Sequence, residues 1–228
     1  MIDLHSVTLR YNKNIILKEC TYHFDKSNII GVIAPNGYGK TTLFNSIVDL
    51  KKPSNGYIKI NQKTIGEDRS SYLKNIFFLE SSSNLYNDFS SIEMINYIKY
   101  LWKSNSDVDN IIKKLQISSF KYKKIKKLSL GMKQSVLLAC AIASQSKVII
   151  LDEPFNGLDP MKQEHWIQIL RDLKKEGKLI IFSSHDLNKC AEICDKTLFL
   201  HDHKLVEYHS KTNHELEIIF KQHFSTHS

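Results

Sequence analysis

The chain has 228 residues, of which 42% are apolar and 25% charged, a globular composition long enough to bury a core. It carries 32 Lys and Arg against 24 Asp and Glu, and this net charge of +8 suits nucleotides, nucleic acid or an acidic lipid surface. A solvated lysine-rich surface has the same composition. The apolar runs are too short for a membrane span, and the start lacks the pattern of a secretory signal. We expect a cytosolic protein with reduced cysteines, and we expect the late histidines, from His201 onward, on the surface.

The first sixty residues have the pattern of strands around one helix. Residues 2–10 and 20–24 alternate partly between apolar and polar side chains. Residues 28–33 form a nearly continuous apolar run, which is typical of a strand buried on both faces. A glycine-rich turn then precedes residues 41–48, where apolar side chains repeat at helical spacing, and a further strand is expected at 57–60.

The middle of the chain changes character and predicts an all-helical insertion. Ser90 and Glu93 fit a capping box at the start of one helix. Residues 108–115 mark a second helix, and a third is expected around 132–143. A basic stretch precedes the third helix and consists of Lys121, Lys123, Lys124, Lys126 and Lys127.

The last third returns to alternating strands and helices. Residues 148–151 and 179–182 are short apolar runs that predict buried strands. Between them, Asp159 is placed to cap a helix that ends near Gly177. Such alternation predicts an α/β fold with a mainly parallel sheet and right-handed crossovers. The tail after about residue 209 is polar and has the pattern of a short amphipathic helix.

The first group of residues with a chemical signature is the segment APNGYGKTT at 34–42, between a buried strand and a helix. Its two glycines let the backbone curl so that successive N–H groups face one point, as in phosphate-binding loops. Lys40 brings charge to the β- and γ-phosphates, and the Thr41 hydroxyl is a ligand for Mg²⁺. The strict pattern begins with Gly where this chain has Ala34, so a chance glycine turn is the alternative.

The second group is Asp152 and Glu153, at the carboxyl end of a predicted buried strand. Open α/β sheets place their ligands at this end. Asp152 suits Mg²⁺, usually held through water, and Glu153 suits the polarisation of an attacking water. Taken alone, the two acids could belong to a plain strand-end turn, but their coexistence with the glycine loop favours the catalytic interpretation.

The segment LSLGMKQ at 128–134 resembles the signature of the ATP-binding cassette (ABC) ATPases, usually written LSGGQ. The glycine loop, this segment, the acidic strand, residues 157–159 and residues 183–185 occur in that family's order over nearly the whole chain. The resemblance implies a P-loop NTPase core with a mainly parallel sheet, an N-terminal antiparallel β subdomain and an inserted α-helical subdomain. It implies one domain, with an α/β core at 1–80 and 145–208, a helical signature subdomain at 81–144 and a tail at 209–228.

The resemblance also implies roles for individual residues. Tyr11 is similar to the aromatic that stacks on adenine, and a plain strand aromatic is its alternative. His185 is similar to the switch histidine that contacts the γ-phosphate, and a structural histidine is its alternative. Asp159 resembles a loop acid that communicates with a second subunit, and Ser129 and Gly131 resemble donors that meet ATP bound on the opposite protomer. The phosphate cradle would consist of Asn36, Gly37, Tyr38, Gly39, Lys40, Thr41 and Thr42.

Three departures from the family pattern matter. The signature variant is similar to that of bacterial exporters of bacitracin, lantibiotic or other toxic-peptide type. The family carries a Mg²⁺-contacting glutamine after the strand at 76–79, and this chain has none there. Either Glu80 or Ser81 takes that place, and a carboxylate at Glu80 would still be able to ligand the metal. Ser135 stands where the family commonly has arginine.

Together these features predict the ATP-hydrolysing subunit of an ABC transporter, with ATP and Mg²⁺ as cofactors. Its partners would be a separate transmembrane permease and a second ABC ATPase protomer, identical or closely related, at the cytoplasmic face of the cell membrane. The cargo would be an exported peptide, antimicrobial or hydrophobic compound. The predicted catalytic residues are Lys40, Glu153 and His185, and the predicted metal ligands are Thr41, Asp152 and Glu80.

Two other functions remain as alternatives. A soluble ABC ATPase acting on nucleic acid or ribosomes would use the basic stretch, but such proteins carry two cassettes or long coiled coils, so no direct nucleic-acid contact is expected. A regulatory module that binds nucleotide without turnover is the other alternative, and the presence of Glu153 argues against it.

Overall fold

The computed structural model describes residues 1–209 and 212–224, and its strands and helices alternate as an α/β fold requires. The strands are β1 (Ile2–Tyr11), β2 (Asn14–Phe24), β3 (Ile29–Ile33), β4 (Asn55–Ile60), β5 (Lys63–Thr64), β6 (Ile76–Leu79), β7 (Val148–Leu151), β8 (Leu179–Ser184), β9 (Lys196–His201) and β10 (Lys204–Tyr208). The helices are α1 (Lys40–Ile47), α2 (Arg69–Lys74), α3 (Ser91–Trp102), α4 (Val108–Lys114), α5 (Leu130–Ala143), α6 (Pro160–Lys175), α7 (Leu187–Ile193) and α8 (Asn213–Phe224).

Within these ranges the larger sheet has the strand order β10-β9-β3-β8-β7-β6. Its strands from β9 to β6 pair in parallel, and β10 adds an antiparallel edge. Every residue of β3, β7 and β8 is buried, because apolar side chains pack on both faces of the sheet. The predicted α/β class with a mainly parallel sheet is confirmed, and the carboxyl ends of its central strands meet along one edge.

The smaller sheet is antiparallel and has the order β2-β1-β4-β5 among the described residues. β1 is one strand with an irregular register near Ser6, whose φ of 46° interrupts the regular pairing. β2 begins at Asn14, earlier than the strand expected at 20–24, because Tyr11 pairs directly with Asn14 across a tight turn. The implied N-terminal antiparallel β subdomain is therefore present.

Helices α3, α4 and α5 lie between β6 and β7, as an inserted helical segment. The capping box of α3 is formed: the amide of Glu93 donates to Ser90 Oγ, and the amide of Ser90 donates to the Glu93 carboxylate at 2.6 Å. α5 begins at Leu130, slightly earlier than expected, with Ser129 as its N-cap. It is buried around most of its circumference, because α3 and α4 pack against it on one side and the sheet on the other.

The lysine-rich stretch at 121–127 is held against the start of α3. The amide of Ile92 donates to the carbonyl of Lys121 at 2.9 Å, and Ser90 and Lys124 form an isolated β-bridge. Ion pairs lower its free positive charge, joining Lys124 to Glu93 at 3.3 Å and Lys126 to Asp88 at 2.7 Å.

The C-terminal part contains one correction. The tail forms α8 as expected, but His201 and His223 are not simple surface residues. His201 is 9% exposed, and the rings of the two histidines stack with centroids 3.8 Å apart, because α8 packs across β9. His227 lies outside the described residues. No helix in the described part of the chain has the length and apolar character of a membrane span.

Candidate functional site

An open cleft of about 880 Å³ lies where the carboxyl ends of β3, β6 and β7 meet. Many of the predicted site residues line it together: Tyr11, Asn36, Gly37, Gly39, Lys40, Thr41, Thr42, Glu80, Asp152 and Glu153. Side chains that the sequence did not single out also line it, among them Ile16, Asn45, Gln134 and Asn156. The glycine loop and the acidic pair are far apart in the sequence but line the same cleft, because the carboxyl ends of the parallel strands lie along one edge of the sheet.

The glycine loop turns sharply between β3 and α1. Gly37 and Gly39 have φ values of 83° and 99°, in the left-handed region that side chains with a Cβ rarely adopt. A Cβ on Gly39 would also lie 2.3 Å from the side chain of Ile16, whereas nothing lies within 4 Å at Gly37. The loop leads directly into α1, whose first turn lines the cleft with Lys40, Thr41 and Thr42. The N-terminus of a helix at such a place suits an anion.

Lys40 is the buried cation of the cleft, with only 6% of its surface exposed. Its Nζ donates to Ala34 O at 2.7 Å and lies 3.8 Å from Glu153 Oε1. Burial lowers the pKa of Lys40, and the nearby carboxylates of Glu153 and Asp152 counteract this shift. The ammonium group thus donates to a loop carbonyl and lies beside two carboxylates. Its buried positive charge suits this wall of the cleft to polyanions.

Asp152 is held by two hydroxyl donors from neighbouring elements. Thr41 Oγ1 donates to one carboxylate oxygen at 2.6 Å, and Ser183 Oγ donates to the other. A hydroxyl next to a carboxylate is an oxygen donor set that suits Mg²⁺. Sequence reasoning noted the segment 183–185 but assigned no role to Ser183; its signal is a polar residue near the end of a fully buried strand.

Glu153 is held in an unusual conformation. Its φ is 47°, which a residue with a side chain adopts only where its surroundings enforce it. The surroundings are visible: its amide donates to Ser183 Oγ at 2.8 Å, and its Oε2 lies 3.0 Å from His185 Nδ1. Its Oε1 is buried and has no hydrogen-bond partner. A carboxylate oxygen that accepts no hydrogen bond and has only the Lys40 ammonium nearby, at 3.8 Å, is suited to accept a proton from a bound molecule.

His185, Tyr38 and Asp159 lie apart from the cleft wall, and Tyr11 lines only its rim. His185 reaches the site only through Glu153, and Tyr38 turns its ring toward Phe224 at 5.3 Å. Asp159 caps α6 by accepting from the amide of Lys162. Tyr11 is on the rim, 56% exposed, with Lys51 Nζ 4.5 Å from the centre of its ring.

The signature residues occupy the start of α5. Ser129 Oγ accepts from the amide of Met132 at 3.3 Å, and Gly131 is buried in the first turn. Between them, Leu130 lines the cleft and is 51% exposed. The hydroxyl of Ser135 donates to Gly131 O at 3.1 Å, but nothing in the structure explains why Ser135 stands where the family commonly has arginine.

The segment after β6 lines the cleft with Glu80, Ser81 and Ser82. Glu80 is exposed, whereas Ser81 is half-buried and its hydroxyl accepts from the amide of Ser83 at 3.2 Å. Ser82 is buried, with a hydroxyl oxygen that has no hydrogen-bond partner. Both residues proposed for the glutamine position therefore border the cleft, and neither is bonded to Thr41 or Asp152.

The residues present fit a magnesium nucleotide. The described part of the chain holds no cluster of three or more His, Cys, Asp or Glu arranged as a metal site, so a fully protein-built cage is absent there. A hydroxyl and a carboxylate beside a phosphate loop form the sparse donor set that Mg²⁺ uses when phosphate oxygens complete its shell. The buried Lys40, the open space at Gly37 and the orphaned Glu153 oxygen match the charge, shape and reactivity of a triphosphate.

Comparison with known proteins supports the same assignment. Residues 17–156 match the family model described as ABC transporter. An ABC transporter ATP-binding protein of Methanocaldococcus jannaschii is 31% identical over 91% of this chain and 76% of its own length. The lantibiotic transport ATP-binding protein SrtF of Streptococcus pyogenes is 28% identical over 94% of both chains.

A solved structure shares the fold. It is the dimeric post-hydrolysis state of an ATP-binding cassette bound to ADP and Pi, with a TM-score of 0.79 and 23% identity over 92% of this chain and 98% of that one. The predicted resemblance is thus confirmed, and the chain belongs to the ABC transporter family as one of its ATP-binding ATPase subunits.

Proposed function

We propose that this chain binds Mg²⁺-ATP in the cleft and hydrolyses it, and that hydrolysis drives transport through a separate membrane subunit. The observation that carries the proposal is the meeting of Lys40, Thr41, Asp152 and Glu153 in one cleft, although more than a hundred residues separate the loop from the acids.

The loop binds the phosphates. Lys40 is able to move its ammonium group from Ala34 O to a phosphate oxygen without leaving its buried position, and the loop amides add neutral donors. Thr42 and Asn36 lie beside them along the cleft. Tyr11, exposed at the rim, supplies a ring face for the adenine base.

Thr41 and Asp152 would hold the magnesium ion, and Glu80 is the proposed additional ligand from the segment after β6. When bound, the ion offsets the negative charge of the phosphate oxygens. Ser183 keeps the Asp152 carboxylate oriented by donating to the oxygen that Thr41 does not contact.

Glu153 is the general base, because its Oε1 accepts no hydrogen bond within the chain and is able to accept the proton of an attacking water. His185 Nδ1 fixes the other oxygen at 3.0 Å and thereby aims the carboxylate. The hydrogen bond from the Glu153 amide to Ser183 keeps the backbone in its left-handed conformation. Catalysis then consists mainly of positioning and charge stabilisation.

The test is the rate of phosphate release by the purified chain with Mg²⁺-ATP. Glu153→Gln keeps the shape of the side chain and removes the base, so turnover should fall by about 10²-fold or more while nucleotide binding persists. Glu164→Gln, at an exposed site on α6 outside the cleft, is the matched control and should retain the wild-type rate. A Glu153→Gln variant as active as the control would remove the base from the proposal.

The second proposed partner is another ABC ATPase protomer. Ser129, Gly131 and Asp159 lie outside the cleft wall, and the side chains nearest to them in sequence include exposed apolar groups. Leu130 is 51% exposed and Met161 is 82% exposed. Exposed apolar side chains such as these favour a protein interface, and the related cassette bound to ADP and Pi is dimeric.

The helical segment at 81–144 is proposed to act as a unit. The proposed docking surface for the membrane subunit lies on this segment. A groove there has apolar and aromatic walls formed by Phe89, Ile92, Tyr97 and Tyr100. Tyr100 is 77% exposed, and Lys124 borders the same groove. Such a groove suits a short amphipathic segment of a permease loop at the cytoplasmic face of the membrane.

Export of a peptide, antimicrobial or hydrophobic compound is the proposed transport activity. Its support is the signature variant at 129–134 together with similarity to a lantibiotic transport ATP-binding protein. Source cells without the gene should become more sensitive to membrane-active peptides, and the wild-type gene but not its Glu153→Gln form should restore resistance. Unchanged sensitivity in the deletion strain would contradict this cargo class.

A further inference from the structure

The ring of Tyr38 connects the glycine loop to the C-terminal helix. Tyr38 stands between Gly37 and Gly39, both in left-handed conformations, at the tip of the loop. Its ring points away from the cleft and meets the ring of Phe224 edge-on, with centroids 5.3 Å apart and an interplanar angle of 84°. This is a favourable geometry for an aromatic pair.

Phe224 is in turn held by aromatic neighbours. Its ring lies 4.7 Å from Phe220, 6.3 Å from Phe199 and 6.1 Å from His201. Phe199 belongs to β9 and pairs with Ile33, the last residue of β3 before the loop. The loop is therefore attached to the same framework at its base through β3 and at its tip through Tyr38.

The end of α8 has a second anchor one residue earlier. The ring of His223 stacks on His201 at 3.8 Å, and His223 Nε2 and the Tyr208 hydroxyl are 2.7 Å apart. The position of Phe224 is thus fixed by contacts to β9 and β10 rather than by α8 alone.

We propose that α8 positions the glycine loop for ATP, with Phe224 acting as a positioning residue through Tyr38. The inference rests on the proposed ATP site. A glycine has many accessible conformations, and at Gly37, beside Tyr38, nothing lies within 4 Å of a Cβ to restrict them. Holding the Tyr38 ring reduces this freedom before the nucleotide binds, which improves affinity without any direct contact between α8 and ATP.

The first experiment measures ATP affinity by calorimetry, together with KM and kcat. Phe224→Ala should weaken ATP binding and raise KM by about three- to ten-fold, the range expected for one aromatic pair, with kcat nearly unchanged. Phe224→Tyr keeps the ring and should restore wild-type affinity. Ile219→Ala, on α8 but outside the ring cluster, is the matched control and should alter thermal stability without altering ATP affinity.

A double-mutant cycle separates positioning from general stability. If Phe224 acts through Tyr38, the effect of Phe224→Ala on affinity should largely disappear in a Tyr38→Ala background. Fully additive effects, or an equal loss of affinity in Ile219→Ala, would overturn the proposal.

The second experiment needs no nucleotide, so failure of this inference is distinguishable from failure of the ATP assignment. Hydrogen exchange of a peptide covering residues 35–39 should be faster in Phe224→Ala than in the wild type and in Ile219→Ala. Faster exchange in a chain that binds no ATP would support loop positioning while contradicting the proposed function. Unchanged exchange would overturn the positioning role even if ATP binds.

Discussion

Lys40 is buried and Lys178 is half-buried, and the two ammonium groups lie in different parts of the fold. Burial lowers the pKa of both Lys40 and Lys178. Lys178 Nζ donates to Ser146 O at 2.9 Å, outside the cleft, whereas Lys40 lies between the loop carbonyls and the Glu153 carboxylate. Comparing variants of the two lysines therefore distinguishes the free-energy cost of burying an ammonium group from the contribution of that group to phosphate binding.

Lys40→Ala should weaken ATP binding by about ten- to a hundred-fold, because one charge-assisted hydrogen bond to phosphate is lost. Lys178→Ala should change the free energy of unfolding but leave ATP affinity within about two-fold, since no cleft contact is removed. Calorimetric titration of both variants with Mg²⁺-ATP checks the prediction. Equal affinity in wild type and Lys40→Ala would remove this lysine from the site.

The sequence predicts the residues that would contact nucleotide or metal better than the residues that position them. Lys40, Thr41, Asp152 and Glu153 were predictable because each type has a known chemical use at its place in a strand–loop–helix pattern. The role of Ser183 was not predictable, because its bond to Asp152 depends on the order in which β7 and β8 pair. The orientation of Tyr38 likewise depends on a helix that is distant in sequence.

Helix α3 begins with a capping box in which the pKa of the Glu93 carboxyl group is strongly lowered. The pKa of Glu93 is lowered to about 2, chiefly because the backbone amide of Ser90 donates to it, with further donors from the Ser90 hydroxyl and Lys124. A carboxylate with a depressed pKa stabilises the fold above its ordinary pKa of 4.5. This contribution is lost as the pH falls from about 4.5 toward about 2.

Ser90→Ala should reduce the free energy of unfolding by about 1 kcal/mol at neutral pH, since α3 loses its N-cap. Asn96→Ala, at an exposed site on the same helix, is the control and should be close to neutral. Urea unfolding at pH 7 and pH 3 checks both variants. The difference between Ser90→Ala and wild type should shrink at pH 3, and a difference independent of pH would show that the Ser90 hydroxyl does not stabilise the Glu93 carboxylate.

Elements with strong periodicity or clear caps were predictable from the sequence, and elements formed by pairing were not. The continuous apolar run of β3 and the capping signals of α3 and α6 correspond closely to the structure. The short elements β5 and α2 gave no comparable signal, because each contains few residues and little apolar surface. The early start of β2 is a consequence of its pairing with β1.

Ser129 and Gly131 do not line the cleft of their own chain, and in the proposed dimer they would contact the nucleotide bound in the cleft of the second protomer. Glu153→Gln should trap this dimer with ATP, because hydrolysis stops while the phosphate loop stays intact. Size-exclusion chromatography should show a shift to twice the monomer mass that depends on ATP.

The control for this prediction uses two exposed apolar residues. Leu130→Asp in the Glu153→Gln background places a charge at the proposed interface and should prevent the shift. Ile218→Asp, which changes a residue of similar exposure on α8, should not. A chain that stays monomeric with ATP in the Glu153→Gln form would contradict the dimer.

Retention of labelled ATP by the purified chain is the decisive measurement for a magnesium-nucleotide site shared by the glycine loop and the acidic pair. We expect saturable binding of one ATP per chain, strengthened by Mg²⁺ and reduced by a chelator. A folded sample that retains no labelled ATP at millimolar concentration with Mg²⁺ present would contradict it.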